Sequence, residues 1–160
     1  MNQNTQETLE EFAAVIRDLS VVAVHIAQIE EAKAAAASAR RHELLDGYIQ
    51  DEQAHILKLR GLEQRRLKLM DALGWKSFTF RQILEKATSE QEHLLRPLFL
   101  ELEQNLKRLE HARKSSEQII NARLREMNLI MARQQGRSYD NTGSLNAGSP
   151  VRTKLQDKYV

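Results

Sequence analysis

Cysteine is absent from these 160 residues, so neither a disulfide framework nor thiol chemistry is available. Proline occurs twice, and aromatic residues make up only 5%. With so few large rings the chain cannot fill a thick core, which favours elongated helices packed along stripes over a globule. The Val, Ile, Tyr and Thr runs that strands require are missing. No uninterrupted apolar run reaches the ~18 residues of a membrane span. The opening MNQNTQETLEEF lacks the layout of a signal peptide, so a cytoplasmic protein is expected. No charge of one sign dominates. The net charge is +2 with acids and bases interspersed, unlike the one-sided basic patch of a nucleic-acid binder.

What is present is a helix-forming vocabulary of Ala, Leu, Glu, Gln, Arg and Lys, on a chain the size of one domain. Periodicity predicts a first helix over 7–36. Leu9, Phe12, Ile16, Leu19, Ala23 and Ile26 follow steps of three and four. Val15, Val22, Ile29 and Ala36 flank them every seven residues. This stripe is wide enough to touch two neighbours. Thr5 or Thr8 is the expected cap, and a turn is expected near Ser38. A second helix is predicted over 39–72, ~50 Å long. Its expected buried face is Leu45, Tyr48, Ile49, Ile56, Leu59, Leu62, Leu69, Met70 and Leu73, with Gly74 as terminator. Gly47 and Gly61 are sites of expected local bending.

A short helix should begin at Thr79, where Gln82 completes a capping box and Phe78 and Ile83 form a hydrophobic staple. Ser89 and Glu92 offer a second box. Pro97 disfavours a helix interior, so a break or kink is expected between 88 and 97. The last long helix runs to about 134. It carries Leu95, Leu98, Leu102, Leu106 and Leu109, then a gap at 110–118, then Ile120, Leu124, Met127, Ile130 and Met131. Beyond it, Gly, Ser, Asn and Thr dominate and a disordered tail is expected. The predicted fold is therefore all-α: an elongated antiparallel hairpin or three-helix bundle with long helices, one short connecting helix and a flexible tail. The helical domain is 1–134 and the tail 135–160.

Two Glu-x-x-His pairs, Glu52/His55 and Glu90/His93, match the spacing of di-metal bundles. Glu52 and His55 fall on the apolar stripe, whereas Glu90 and His93 fall opposite Leu95 and Leu98. Glu30 is the one further glutamate on a comparable seam. The expectation is polar residues at a partly wet seam, with no metal and no cofactor. The basic cluster Arg60, Arg65, Arg66 and Lys68 is expected to be a solvated face paired with Glu63, and Arg40, Arg41 and His42 are read likewise. The segment 119-IINARLREMNLIMARQ-134 differs, because its apolar residues cover more than one stripe. Adaptable Met side chains on an amphipathic helix suit a partner helix, and a dimer seam or ordinary core is the alternative. No Ser/His/Asp set, phosphate-binding loop or nucleotide motif is present, so neither an enzyme nor a small-molecule substrate is expected.

Read in order, these features resemble the FlgN family of flagellar type III export chaperones over residues 8–145. The first helix ends in a Lys-Ala segment from Lys33. The stretch 48-YIQDEQAHILKLRGLEQRR-66 is similar to the family's Glu-x-x-Leu-Leu-x-x-Leu-x-x-Leu-Glu-x-x-Arg helix. A Leu-Gly break stands at 73–74. The last helix carries Asn121-x-x-Leu124 and runs into 138-SYDNTGSL-145, similar to the family's Tyr-(Asp/Gly)-x-x-Gly signature. The resemblance implies a non-enzymatic cytoplasmic chaperone for the flagellar hook-associated proteins of the hook–filament junction. It would bind their carboxyl-terminal helical segments and deliver them to the export gate. On that reading the apolar residues Ile120, Leu124, Met127, Ile130 and Met131 of the last helix are the expected cargo surface, and the resemblance implies docking on the cytosolic domain of the gate through Tyr139 and Gly143. The competing readings are a structural adaptor, a homodimer through the Leu/Met face, and, more remotely, a ferritin-like di-metal bundle.

Overall fold

The computed structural model describes residues 2–135. They form four α-helices: α1 (Gln3–Ser38), α2 (Leu45–Ala72), α3 (Phe80–Lys86) and α4 (Ser89–Gln134). A 3₁₀ turn, His42–Leu44, leads into α2. No strand is present among the described residues. α1 is the shared partner, packing along both α2 and α4. α2 runs back against α1, as the pairs Glu11–Arg65 and Lys33–Glu52 show. α4 runs alongside α1 in the same direction, with Phe12 against Phe99, Glu31 bound to Arg108, and Ser38 met by Arg123.

The wide stripe of α1 explains this arrangement. Leu9, Phe12, Ile16, Leu19, Ala23 and Ile26 are buried, and so are Val15, Val22 and Ala36. One set of residues could face only one helix; two adjacent sets face two. Among the described residues, α1 is also the one helix long and apolar enough to cross a membrane by length and composition. No uninterrupted apolar run marks it, because scattered polar residues break an otherwise apolar window. Most of its apolar side chains pack against α2 and α4.

One end of the bundle is aromatic. Phe12 meets Trp75 and Phe99 edge-on, at 5.7 and 6.2 Å between ring centroids. Phe80 stacks on Phe99 at 4.1 Å. α3 thereby closes this end, and its start signal is as expected. The Thr79 side chain accepts from the Gln82 N–H, while the Gln82 side chain accepts from the Thr79 N–H.

Several local expectations shift. α1 starts at Gln3, four residues earlier than expected, and its cap position has no side-chain hydrogen bond. Thr8 lies inside the helix, where its hydroxyl donates to the Asn4 carbonyl. The second capping box is Thr88/Gln91, one residue before the expected Ser89/Glu92. Both positions satisfy the Ser/Thr-x-x-Glu/Gln pattern, and Thr88 is the residue that keeps extended backbone. Pro97 does not end the helix; α4 is continuous from Ser89. Pro97 and His93 are exposed, so the His93 carbonyl that loses its amide partner opens toward solvent. On α2, Leu59 and Met70 are buried, but Ile49 is exposed and Ile56, Leu62, Leu69 and Leu73 are half-buried. A helix flanking the bundle from one side buries a narrow stripe.

The two hairpin ends share one device. After α2, Gly74 takes φ 77° and Trp75 donates back to the Met70 carbonyl. After α1, Arg41 donates back to the Ala36 carbonyl, and Arg40 takes the left-handed position at φ 60°. An L side chain there costs about 1 kcal/mol that glycine avoids. Arg40→Gly should therefore raise stability by about 0.5–1 kcal/mol in urea denaturation. Its ion pair to Glu126, at 3.9 Å and well exposed, offsets little of this. A loss of stability would mean that Arg40 makes a contact stronger than that pair.

Candidate functional site

α4 changes character along its length. Leu95, Phe99, Leu102, Leu106 and Leu109 recur at steps of four and three and are buried. Ala112 and Ser116 are the last buried residues of the helix. The stripe does not stop there. Ile120, Leu124, Met127 and Met131 continue it at steps of four, three and four, so they lie on the same face. Ile120 is half-buried. Leu124 is 42%, Met127 41% and Met131 50% exposed. Ile119 and Ile130 flank the stripe, and Leu129 stands on the opposite side.

The reason is the length of the partners. α1 ends at Ser38, whose carbonyl meets the Arg123 guanidinium at 3.4 Å. From Arg123, α4 runs on to Gln134, or ~16 Å at 1.5 Å per residue. Among the described residues, the face that is core beside α1 has no partner helix beyond it. Four of the five residues expected to meet cargo (Leu124, Met127, Ile130 and Met131) are exposed together here, with Ile120 at the junction.

The charge around this end is one-sided. In 39–43 and 119–135, Arg40, Arg41, Arg123, Arg125 and Arg133 stand against only Glu43 and Glu126. Glu126 is held by Arg123 at 2.8 Å. That hydrogen bond, with Arg123 and then Arg40 as charges, keeps its carboxyl below the usual range.

The Glu-x-x-His pairs have separate fates. Glu90 and His93 are exposed. Glu52 and Glu30 do come together, and Lys33 contacts both, with Nζ 3.1 Å from Glu30 and 2.7 Å from Glu52. His55 turns its Nδ1 to the Asp51 carbonyl at 2.8 Å and its ring edge-on to His25 at 5.4 Å. Among the described residues, no group of three or more His, Cys, Asp or Glu stands ready to hold a metal ion. The Lys33 bridge was the feature missed in the sequence; Lys33 three residues after a glutamate on an apolar seam was the available signal.

The basic cluster on α2 is not uniformly solvated. Arg66 is buried, not solvated. Its guanidinium grips the Glu63 carboxylate with two hydrogen bonds, at 2.7 and 2.9 Å, and Nη1 reaches Met70 Sδ. Arg65 is exposed and pairs with Glu11 at 3.5 Å. A two-point Arg–carboxylate fork satisfies enough donors to be buried beside an apolar face. An open groove of about 450 Å³ also runs between α3 and α4, over Phe80, Leu84, Phe99 and Leu100. Its rim charges pair locally, Arg81 with Glu85 and Arg96 with Glu92.

Tyr139, Gly143 and the tail lie outside the described residues. Comparison with protein-family models, curated proteins and solved structures finds no match to this chain.

Proposed function

We propose that this chain is a FlgN-type export chaperone, whose cargo is a carboxyl-terminal helical segment of a flagellar hook-associated protein. The observation that carries the reading is the core stripe of α4 running on through Leu124, Met127 and Met131, exposed among the described residues. An amphipathic helix laid beside it would continue the helix-on-helix packing that α1 provides lower down. The arginine excess at this end favours a cargo helix with acidic residues flanking its apolar stripe. The same excess works against pairing with a second copy of this face, because like charges would oppose each other. Size-exclusion and light scattering with and without the cargo segment test this: a 1:1 complex supports the reading, and a tight dimer that excludes cargo opposes it.

Tyr139 and Gly143 are proposed as the contact to the cytosolic domain of the export gate. A single aromatic anchor gives a weak, fast interaction in which the ring supplies most of the contact. Tyr139→Ala should lower gate affinity about tenfold or more and reduce motility, with cargo affinity unchanged. Unchanged gate affinity and motility would remove this residue from the mechanism. The role is binding and delivery, with no catalytic step and no cofactor.

A further inference from the structure

Where the buried part of α4 ends, the three long helices meet around charged groups. Glu30 of α1 is 2% exposed and Ser116 of α4 is 1% exposed. Lys33, one turn after Glu30, bridges it to Glu52 of α2. Arg113 of α4 acts on Glu52 as a further positive charge. The Ser116 hydroxyl is buried beside Glu30, outside strict hydrogen-bond geometry but close enough to favour the Glu30 carboxylate. Past Ser116, no described residue of α4 is buried. The ties beyond it are exposed: Arg123 to the Ser38 carbonyl at 3.4 Å and Arg40 to Glu126 at 3.9 Å.

Two carboxylates face each other here, and even with Lys33 and Arg113 nearby, burial penalises the charge on the more enclosed of them, Glu30. A proton on Glu30 removes it and supplies a donor to Glu52. Burial first, and then that hydrogen bond, push the Glu30 carboxyl up to about 7, with Ser116 and Lys33 working the other way. Burial also acts to raise Glu52, but the proton from Glu30, and Lys33 after it, outweigh this and hold Glu52 below its ordinary value. Burial acts to lower Lys33, and the two glutamates outweigh it, so its pKa is raised. Of the three groups, only Glu30 titrates near neutrality.

We propose that Glu30, Lys33 and Glu52 form a proton-operated latch on the distal part of α4. With Glu30 protonated, the junction of α1, α2 and α4 is closed. With Glu30 ionised, the junction takes up water around the buried Glu30 carboxylate, and residues 117–135 loosen from the end of α1. The sign follows from linkage. Glu30 binds its proton more tightly folded than unfolded, so its contribution is fully present below pH 4.5 and is lost as pH rises through about 7. Latch opening is independent of which cargo the distal face accepts.

The chain has no cysteine of its own, so spin labels at His42→Cys and Gln134→Cys report one distance. Between pH 6 and pH 8.5 that distribution should broaden and lengthen, and melting should fall by roughly 3–6 °C. Glu30→Gln keeps a neutral donor at both pH values and every histidine except the labelled one. Its distribution should stay narrow and its melting nearly constant. If the unsubstituted cluster gives the same distribution at both pH values, or Glu30→Gln broadens equally, the latch is disproved. Carboxyl carbon NMR of otherwise unaltered protein gives a reading even if Glu30→Gln misfolds. A Glu30 midpoint near neutrality supports the latch, and one below pH 5 overturns it.

Discussion

Leu124→Asp combined with Met127→Asp should abolish cargo binding while leaving the helical fold intact. The two side chains sit three residues apart on one face, at 42% and 41% exposure. In the free protein the new carboxylates stay in water, so stability should change by about 0.5 kcal/mol or less. In the complex they would lie in the centre of an apolar seam and would lose hydration without gaining a partner. Anchors at such a centre are typically worth ≥ 2 kcal/mol each. The affinity should therefore fall at least about 100-fold in calorimetric titration. Met127→Leu, which keeps volume and polarity, should bind within a few-fold of the parent. Full affinity in a folded double variant would place the docking surface elsewhere.

Phe12→Ala should be among the most destabilising single changes in the chain, by about 3–5 kcal/mol. Phe12 is completely buried and lies where three segments converge: α1, the Trp75 turn and α4. Its removal opens a cavity and deletes two edge-to-face ring contacts, each worth about 0.5–1.5 kcal/mol beyond area burial. Total stability for a domain of this size is about 5–15 kcal/mol, so the loss is a large share. Chemical denaturation followed by circular dichroism would measure it. A change below about 1 kcal/mol would mean that the aromatic end is loosely packed. The effect on cargo should be small, because the distal stripe starts some twenty residues up α4 from Phe99.

Much of this architecture could be read in the residues. The double stripe of α1 specified two partners. Thr79-x-x-Gln82 and Gly74 marked a helix start and a helix end whose geometry depends on those side chains. Pro97 misled because proline's cost depends on where the freed carbonyl points, and here it points to solvent. Arg66 misled because a basic run looks solvated until a neighbouring glutamate shares its burial. The distal stripe was legible as a pattern, but not as a surface. Ile120, Leu124, Met127 and Met131 continue the same periodicity as the buried leucines, and only the end of α1 at Ser38 separates exposed from covered. The Glu30–Lys33–Glu52 cluster needed three dimensions, since Glu52 comes from another helix.

The most direct test is isothermal titration of this chain with the carboxyl-terminal segment of each hook–filament junction protein from the same cell, at several temperatures. The account predicts 1:1 binding of at least one segment. It also predicts a large negative heat-capacity change from burial of the Leu124–Met131 face and loss of both in the double Asp variant. No heat and no co-elution with any of these segments would contradict the chaperone reading.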